Sequence, residues 1–227
     1  MPLLEICVGS VASARIAQQA GGGRLELCAA LQLGGYTPSW GLMTAVRDAV
    51  TIPMNVIIRN IADRYVFTPD EIDVMVRDIR MAREAGADGV VIGALTADAR
   101  VDMEACLPMM EAAKGLPVTF HRAFDMVADK RQGLEDLISL GCARVLTSAG
   151  APVVPQGMEG LKSLIDQAAD RIIVMPGGGV TAKNAADIVR TLHNREMHGT
   201  FRAPGAAPAA DTSMQELSQA VESLRGL

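Results

Sequence analysis

Short apolar runs alternate with longer stretches of helical periodicity along the whole chain. The runs near 3–8, 24–29, 55–59, 89–95, 118–124, 144–149, 171–176 and 196–200 predict β-strands. After each comes a helical pattern, near 11–20, 39–50, 69–85, 102–114, 129–140, 158–169, 182–193 and 214–225, long enough to cross back over a sheet. The third shows the signal best: Ile72, Met75, Val76, Ile79 and Ala82 recur at helical spacing and draw one apolar stripe, while the other face is charged. Thr68, Pro69 and Glu71 give that helix a capping-box start, and Gly86 gives it a left-handed stop. Ser213 and Glu216 repeat the capping spacing before the final helix.

Eight strand-then-helix units with no linker or compositional break predict a single closed α/β barrel of the TIM type, (β/α)8, spanning 1–227 rather than an open doubly wound sheet. At this length the connections must be short. The exception is 202–211, rich in Ala, Pro and Gly, which reads as a mobile loop at the barrel mouth.

Composition narrows the function. An apolar content of 49% fills a sizeable core, and the net charge of −5 with no Lys/Arg-rich run argues against a nucleic-acid surface. The short apolar start has no cationic stretch before it, and no apolar run is long enough to cross a bilayer, so a cytoplasmic location is expected. Cys7, Cys28, Cys106 and Cys142 form no Cys-x-x-Cys pair and are too sparse for a disulfide scaffold, so they read as reduced thiols.

In a barrel, alternate strand positions face inward and the carboxyl ends of the strands form the functional rim. Leu4-Glu5-Ile6-Cys7 and Leu25-Glu26-Leu27-Cys28 repeat a carboxylate and a thiol two residues apart, on one side of a strand. If Glu5 and Cys7 point inward, so do Glu26 and Cys28, Ile57 and Arg59, Thr119 and His121, and Glu196 and His198, with Arg122 and Asp125 just beyond the strand. This ring admits two readings. One is a self-satisfied ion network in which Arg59 and Arg122 hold Glu5, Glu26 and Glu196. The other is a site, and buried ion pairs stabilise less than apolar packing would, which favours it. The candidate catalytic set is then Glu26, Arg59, His121, Arg122, Asp125 and His198, with His121 as general acid or base, Arg122 as an anion clamp and Asp125 orienting either Arg122 or His121.

Pro176-Gly177-Gly178-Gly179 after the seventh strand, Gly199 after the eighth and Ser148 after the sixth match the place where many barrels bind phosphate through backbone N–H groups. A tight strand-to-helix turn is the alternative reading of the glycines. Cys7 and Cys28 are expected at equivalent heights on adjacent strands, where about 4.8 Å of strand spacing lets two thiolates share a Cu(I) ion, although buried Cys more often simply packs. The 13 Met residues are scattered without Met-x-x-Met spacing and read as core filling.

Several segments together resemble the CutC family of copper homeostasis proteins: Leu4–Val8, Arg24–Ala29 with Gly34–Ser39, Thr119–Asp125, Arg144–Ser148, the glycines at 177–179 with Asn184, and Glu196–Gly199. The chain departs from the family after Arg59, where Asn60-Ile61-Ala62-Asp63-Arg64-Tyr65 stands in place of the usual Pro-Arg-Gly-Gly-Asp-Phe. The resemblance implies a (β/α)8 barrel, a cytoplasmic homodimer or larger homo-oligomer, and a role in copper tolerance or trafficking involving Cys7 and Cys28. Three functions stay open: Cu(I) binding, an enzyme acting on a small anionic or phosphorylated metabolite, and a protein–protein role that leaves the cavity unused.

Overall fold

The computed structural model describes residues 1–227 and contains eight parallel strands, each followed by a helix. The strands are β1 Leu3–Val8, β2 Arg24–Leu27, β3 Met54–Ile57, β4 Gly89–Ile92, β5 Val118–Phe120, β6 Arg144–Thr147, β7 Ile173–Pro176 and β8 Glu196–Gly199. The helices are α1 Val11–Gln19, α2 Trp40–Ala49, α3 Pro69–Glu84, α4 Met103–Ala113, α5 Lys130–Leu140, α6 Met158–Ala168, α7 Ala185–Leu192 and α8 Met214–Ser223. Pairing runs β7-β6-β5-β4-β3-β2-β1-β8, and a parallel bridge between Gly177 and His198 brings the two outer strands together into a nearly closed barrel. No helix is long and apolar enough to cross a membrane.

Local chemistry sets the element ends. The capping box on α3 forms as its sequence predicts: Thr68 Oγ1 accepts from the Glu71 N–H at 3.4 Å, and Glu71 Oε2 accepts from the Thr68 N–H at 2.7 Å. The largest departure is at β5, which ends at Phe120 instead of running to 124. His121 Nδ1 accepts the Ala123 N–H at 3.1 Å, which turns the chain into a 3-10 segment, Arg122–Met126. A side chain competing for a backbone donor has ended the strand there.

Apolar side chains of the helices and of the outward strand positions form one core cluster, whereas only Cys7, Cys28, Ile57 and Val91 form an apolar group inside the barrel. Apart from Leu146 and Met175, most of the rest of the interior is polar, which sets the problem the site has to solve. The segment 202–211 is fastened at both ends: Arg202 and Thr212 form an antiparallel bridge, and Asp211 accepts from the Ser10 and Ser13 hydroxyls at 2.5 and 2.6 Å. Both serines belong to the start of α1, where Ser10 is the N-cap.

Candidate functional site

The inward parity read from the sequence places charged groups at two depths. At the amino-terminal end, Arg24 lies between Glu5 and Glu196, bonding both, and Arg144 holds Glu196 from the other side at 2.8 and 3.2 Å. Asn55 Nδ2 adds a bond to Glu5 at 2.9 Å. The carboxylates of this layer are therefore held by Arg24 and Arg144, not by Arg59 and Arg122 as the network reading expected. Sequence reasoning missed both arginines, although each shares the parity of an inward neighbour, Arg24 with Glu26 and Arg144 with Leu146. Burial works to raise the Glu5 pKa and prevails over the pull of Arg24. Burial acts the same way on Glu196, but bonds from Arg24 and Arg144 hold it below the ordinary carboxylate value.

Toward the carboxyl ends lies a cavity of about 210 Å³, lined by Cys7, Glu26, Cys28, Ile57, Arg59, Tyr65, His121, Arg122, His198 and Arg202 among others. The register pairs Cys7 with Glu26, so Cys28 sits one inward step above Cys7 and not at its height. The sulfurs still meet, at 3.6 Å. The hydrogen bond from Cys28 lowers the Cys7 pKa against the opposing effect of burial, while the same bond, with burial adding to it, raises the Cys28 thiol well above its usual value. Cys7 is thus the readier thiolate. His198 Nε2 lies 2.7 Å from Glu26 Oε2. Burial opposes charge on both, yet their attraction prevails: Glu26 falls below its ordinary value and His198 rises well above its own, which describes an imidazolium–carboxylate pair. One donor atom each from Cys7, Glu26 and His198 lies within 4.8 Å of the other two.

His121 differs from His198. Burial and then the charge of Arg59 push its pKa down to about 4, so the ring is neutral at physiological pH. Because Nδ1 accepts from Ala123, the proton sits on Nε2, which is buried and has no partner. Room for this ring comes from β4, since a Cβ at Gly93 would collide with the imidazole. Arg59 completes this side, with Tyr36 and Tyr65 presenting ring faces 5.7 and 5.2 Å from its Cζ. Sequence reasoning singled out neither tyrosine, nor Arg202 at the rim.

The remaining candidates sit behind the cavity wall. Asp125 accepts from Arg122 Nε at 2.7 Å, from the Thr147 hydroxyl at 2.5 Å, and from the Ser148 and Gly150 N–H groups at 3.0 and 2.9 Å. It positions Arg122 and does not line the cavity. Ser148 is fully buried, and its Oγ accepts from Arg122 Nη2 at 2.8 Å. The Arg122 guanidinium lies over Gly178, where an added Cβ would meet its Nη1 at 2.9 Å. Gly178 thus makes room for Arg122, Gly177 joins the β7–β8 bridge, Gly179 packs against Val153, and Gly199 lies beneath the Phe201 ring. The structure brings Cys7, Cys28, Glu26, Arg59, His121, Arg122 and His198 to one cavity, and leaves Asp125, Ser148 and the four glycines out of its lining.

Comparison with known proteins bears on this arrangement. A mouse protein named copper homeostasis protein cutC homolog is 48% identical over 200 residues, covering 88% of this chain and 74% of that one. The family protein CutC of Pasteurella multocida is 45% identical over 195 residues, covering 86% of this chain and 80% of its own. The crystal structure of the putative copper homeostasis protein CutC from Streptococcus agalactiae superposes with a TM-score of 0.85 at 32% identity, covering 88% of this chain and 99% of that one. The model of the CutC family matches residues 2–203, a span that holds all eight strands and every residue lining the cavity; this chain belongs to the CutC family.

Proposed function

We propose that this protein serves copper homeostasis by binding Cu(I) in the barrel cavity, with the Cys7 and Cys28 sulfurs as ligands and His198, on releasing one ring proton as the ion binds, as the neighbouring nitrogen donor. The observation that carries this reading is the 3.6 Å approach of two buried sulfurs from adjacent strands beside an imidazole and a carboxylate. Soft sulfur donors select Cu(I), and the lowered Cys7 pKa supplies a thiolate at little cost. Glu26 keeps His198 in place, the part an outer-sphere carboxylate plays at metal-bound histidines. In this role the protein works in the cytoplasm as a homodimer or larger homo-oligomer, as the family resemblance implies. The test is anaerobic Cu(I) competition with the Cys7→Ser/Cys28→Ser protein. Its affinity should fall more than about tenfold, because outer-sphere partners alone are worth that much; an unchanged affinity removes the reading.

A second reading, an enzyme acting on a small anionic or phosphorylated metabolite, draws on the unpartnered donors of His121 and Arg59. In it the protonated His198 is the acid. His121, held neutral with its proton on Nε2, acts as a hydrogen-bond donor and not as the acid–base group expected from the sequence.

A further inference from the structure

The buried arginines of this barrel are of two kinds. Arg24 and Arg144 are ion-paired with carboxylates. Arg59 is only 5% exposed, yet it has no ion-pair partner. Its Nη1 donates to the carbonyls of Leu33 and Gly35 at 3.3 and 3.2 Å, while Nε has no partner and Nη2 bonds to no protein acceptor. Carbonyl dipoles and tyrosine faces ease a buried cation without cancelling its charge. The charges around it do not cancel it either: Glu26 is matched by His198 and Arg122 by Asp125. Arg202, at the rim, donates only to the Ala210 carbonyl. This side of the cavity therefore carries uncompensated positive charge and, at His121 Nε2, a second buried donor without an acceptor.

We infer that this half of the cavity is an anion subsite for a small carboxylate, anchored by Arg59 with the Nε2–H of His121 as second donor. The inference deepens the enzymatic reading and is independent of copper. The guanidinium is fixed by two carbonyls and two ring faces and leaves Nε and Nη2 as a fork for two oxygens of one anion, and what favours a carboxylate over a phosphate is the shape of the cavity. The glycine corner suited to phosphate is filled by the Arg122 side chain. The volume, about 210 Å³, is well above the roughly 10–15 Å³ that a single water needs and leaves room for a compact organic acid.

The experiment titrates sodium glycolate and, separately, inorganic phosphate into the purified protein in a carboxylate-free buffer, read by calorimetry and melting temperature. Glycolate should bind saturably and raise Tm in the parent and equally in the Cys7→Ser/Cys28→Ser protein. Arg59→Lys, which keeps the charge and loses the fork, should weaken binding more than about tenfold, and Arg59→Met should abolish it. Without ligand, Arg59→Met should melt no lower than the parent, because it removes a charge that nothing neutralises. Glycolate binding that survives Arg59→Lys at full strength, phosphate binding in the absence of glycolate binding, or no saturable glycolate binding by the parent would each overturn the inference. Loss of Cu(I) binding with glycolate binding retained in the double-Ser protein supports both assignments; unchanged Cu(I) binding there removes the copper reading and leaves this one standing.

Discussion

The two depths of the barrel interior are equally buried and differently finished. At the amino-terminal end, Arg24 and Arg144 face Glu5 and Glu196, and every charge has an opposite within bonding distance. At the carboxyl-terminal end, one carboxylate is matched by one imidazole, two thiols touch, and Arg59 and His121 Nε2 are left unanswered. The difference separates a structural network from a site, even though both are made of Glu, Arg and inward parity. Isolated atoms go unpartnered in the lower layer too, Glu5 Oε1 and Arg144 Nη1 among them, but each belongs to a group already neutralised through its other atoms. Charge balance, more than the count of orphaned atoms, tells the two layers apart.

The sharpest way to break this comparison is Arg24→Met. It strips Glu5 of its only cationic partner and Glu196 of one of two, so it should cost about 3–5 kcal/mol in urea denaturation. A loss below about 1 kcal/mol would show that the lower layer is not what holds the barrel together. Next comes the pH dependence set by His121. An unfolded imidazole takes up a proton near 6.5, the folded one only near about 4, so between these values the unfolded chain binds more protons. The His121 contribution should therefore lower stability as pH drops through that window, by on the order of 3 kcal/mol, and be flat above it. His198 is shifted the other way, so its contribution is present in this window and is lost only as pH rises through its folded value. Comparing melts of the parent and His121→Asn from pH 4 to 7 isolates the effect; parallel curves would refute it.

The smallest effect sharpens the contrast between layers within one strand. In β4 and just beyond it, Gly89 leaves room for the Asn55 amide and Gly93 leaves room for the His121 ring. Each Gly→Ala change should cost about 1–3 kcal/mol as overpacking. Only Gly93→Ala should also alter the pH dependence assigned to His121, and equal pH profiles for the two variants would mean that the ring is not seated as described.

How much of this was legible in the sequence depends on what each feature rests on. Strand-helix alternation and the α3 stripe are periodic, and periodicity fixed both the barrel and the inward parity that gathered Cys7, Glu26, His121 and His198. Register is not periodic. Because β1 and β2 are offset so that Cys7 meets Glu26, the expectation of thiols at one height was wrong, although the sulfurs touch. Partner choice was the second blind spot: the parity of Arg24 and Arg144 was visible, but their hold on Glu5 and Glu196 depends on depth, and Arg59 and Arg122 looked equally available. The tyrosine faces around Arg59 come from connections after β2 and β3, where no pattern predicts which way a ring will turn.

The fastening of Asp211 to Ser10 and Ser13 has a topological consequence. Together with the bond from the Thr212 N–H to Ser13 Oγ at 3.1 Å, it joins the approach to α8 directly to the first helix, across a separation of about two hundred residues. The exposed span between Ala203 and Ala209 thus lies outside a closed ring of contacts. A break in the chain within that span should therefore leave α8 docked on α1, its attachment no longer resting on the peptide link alone.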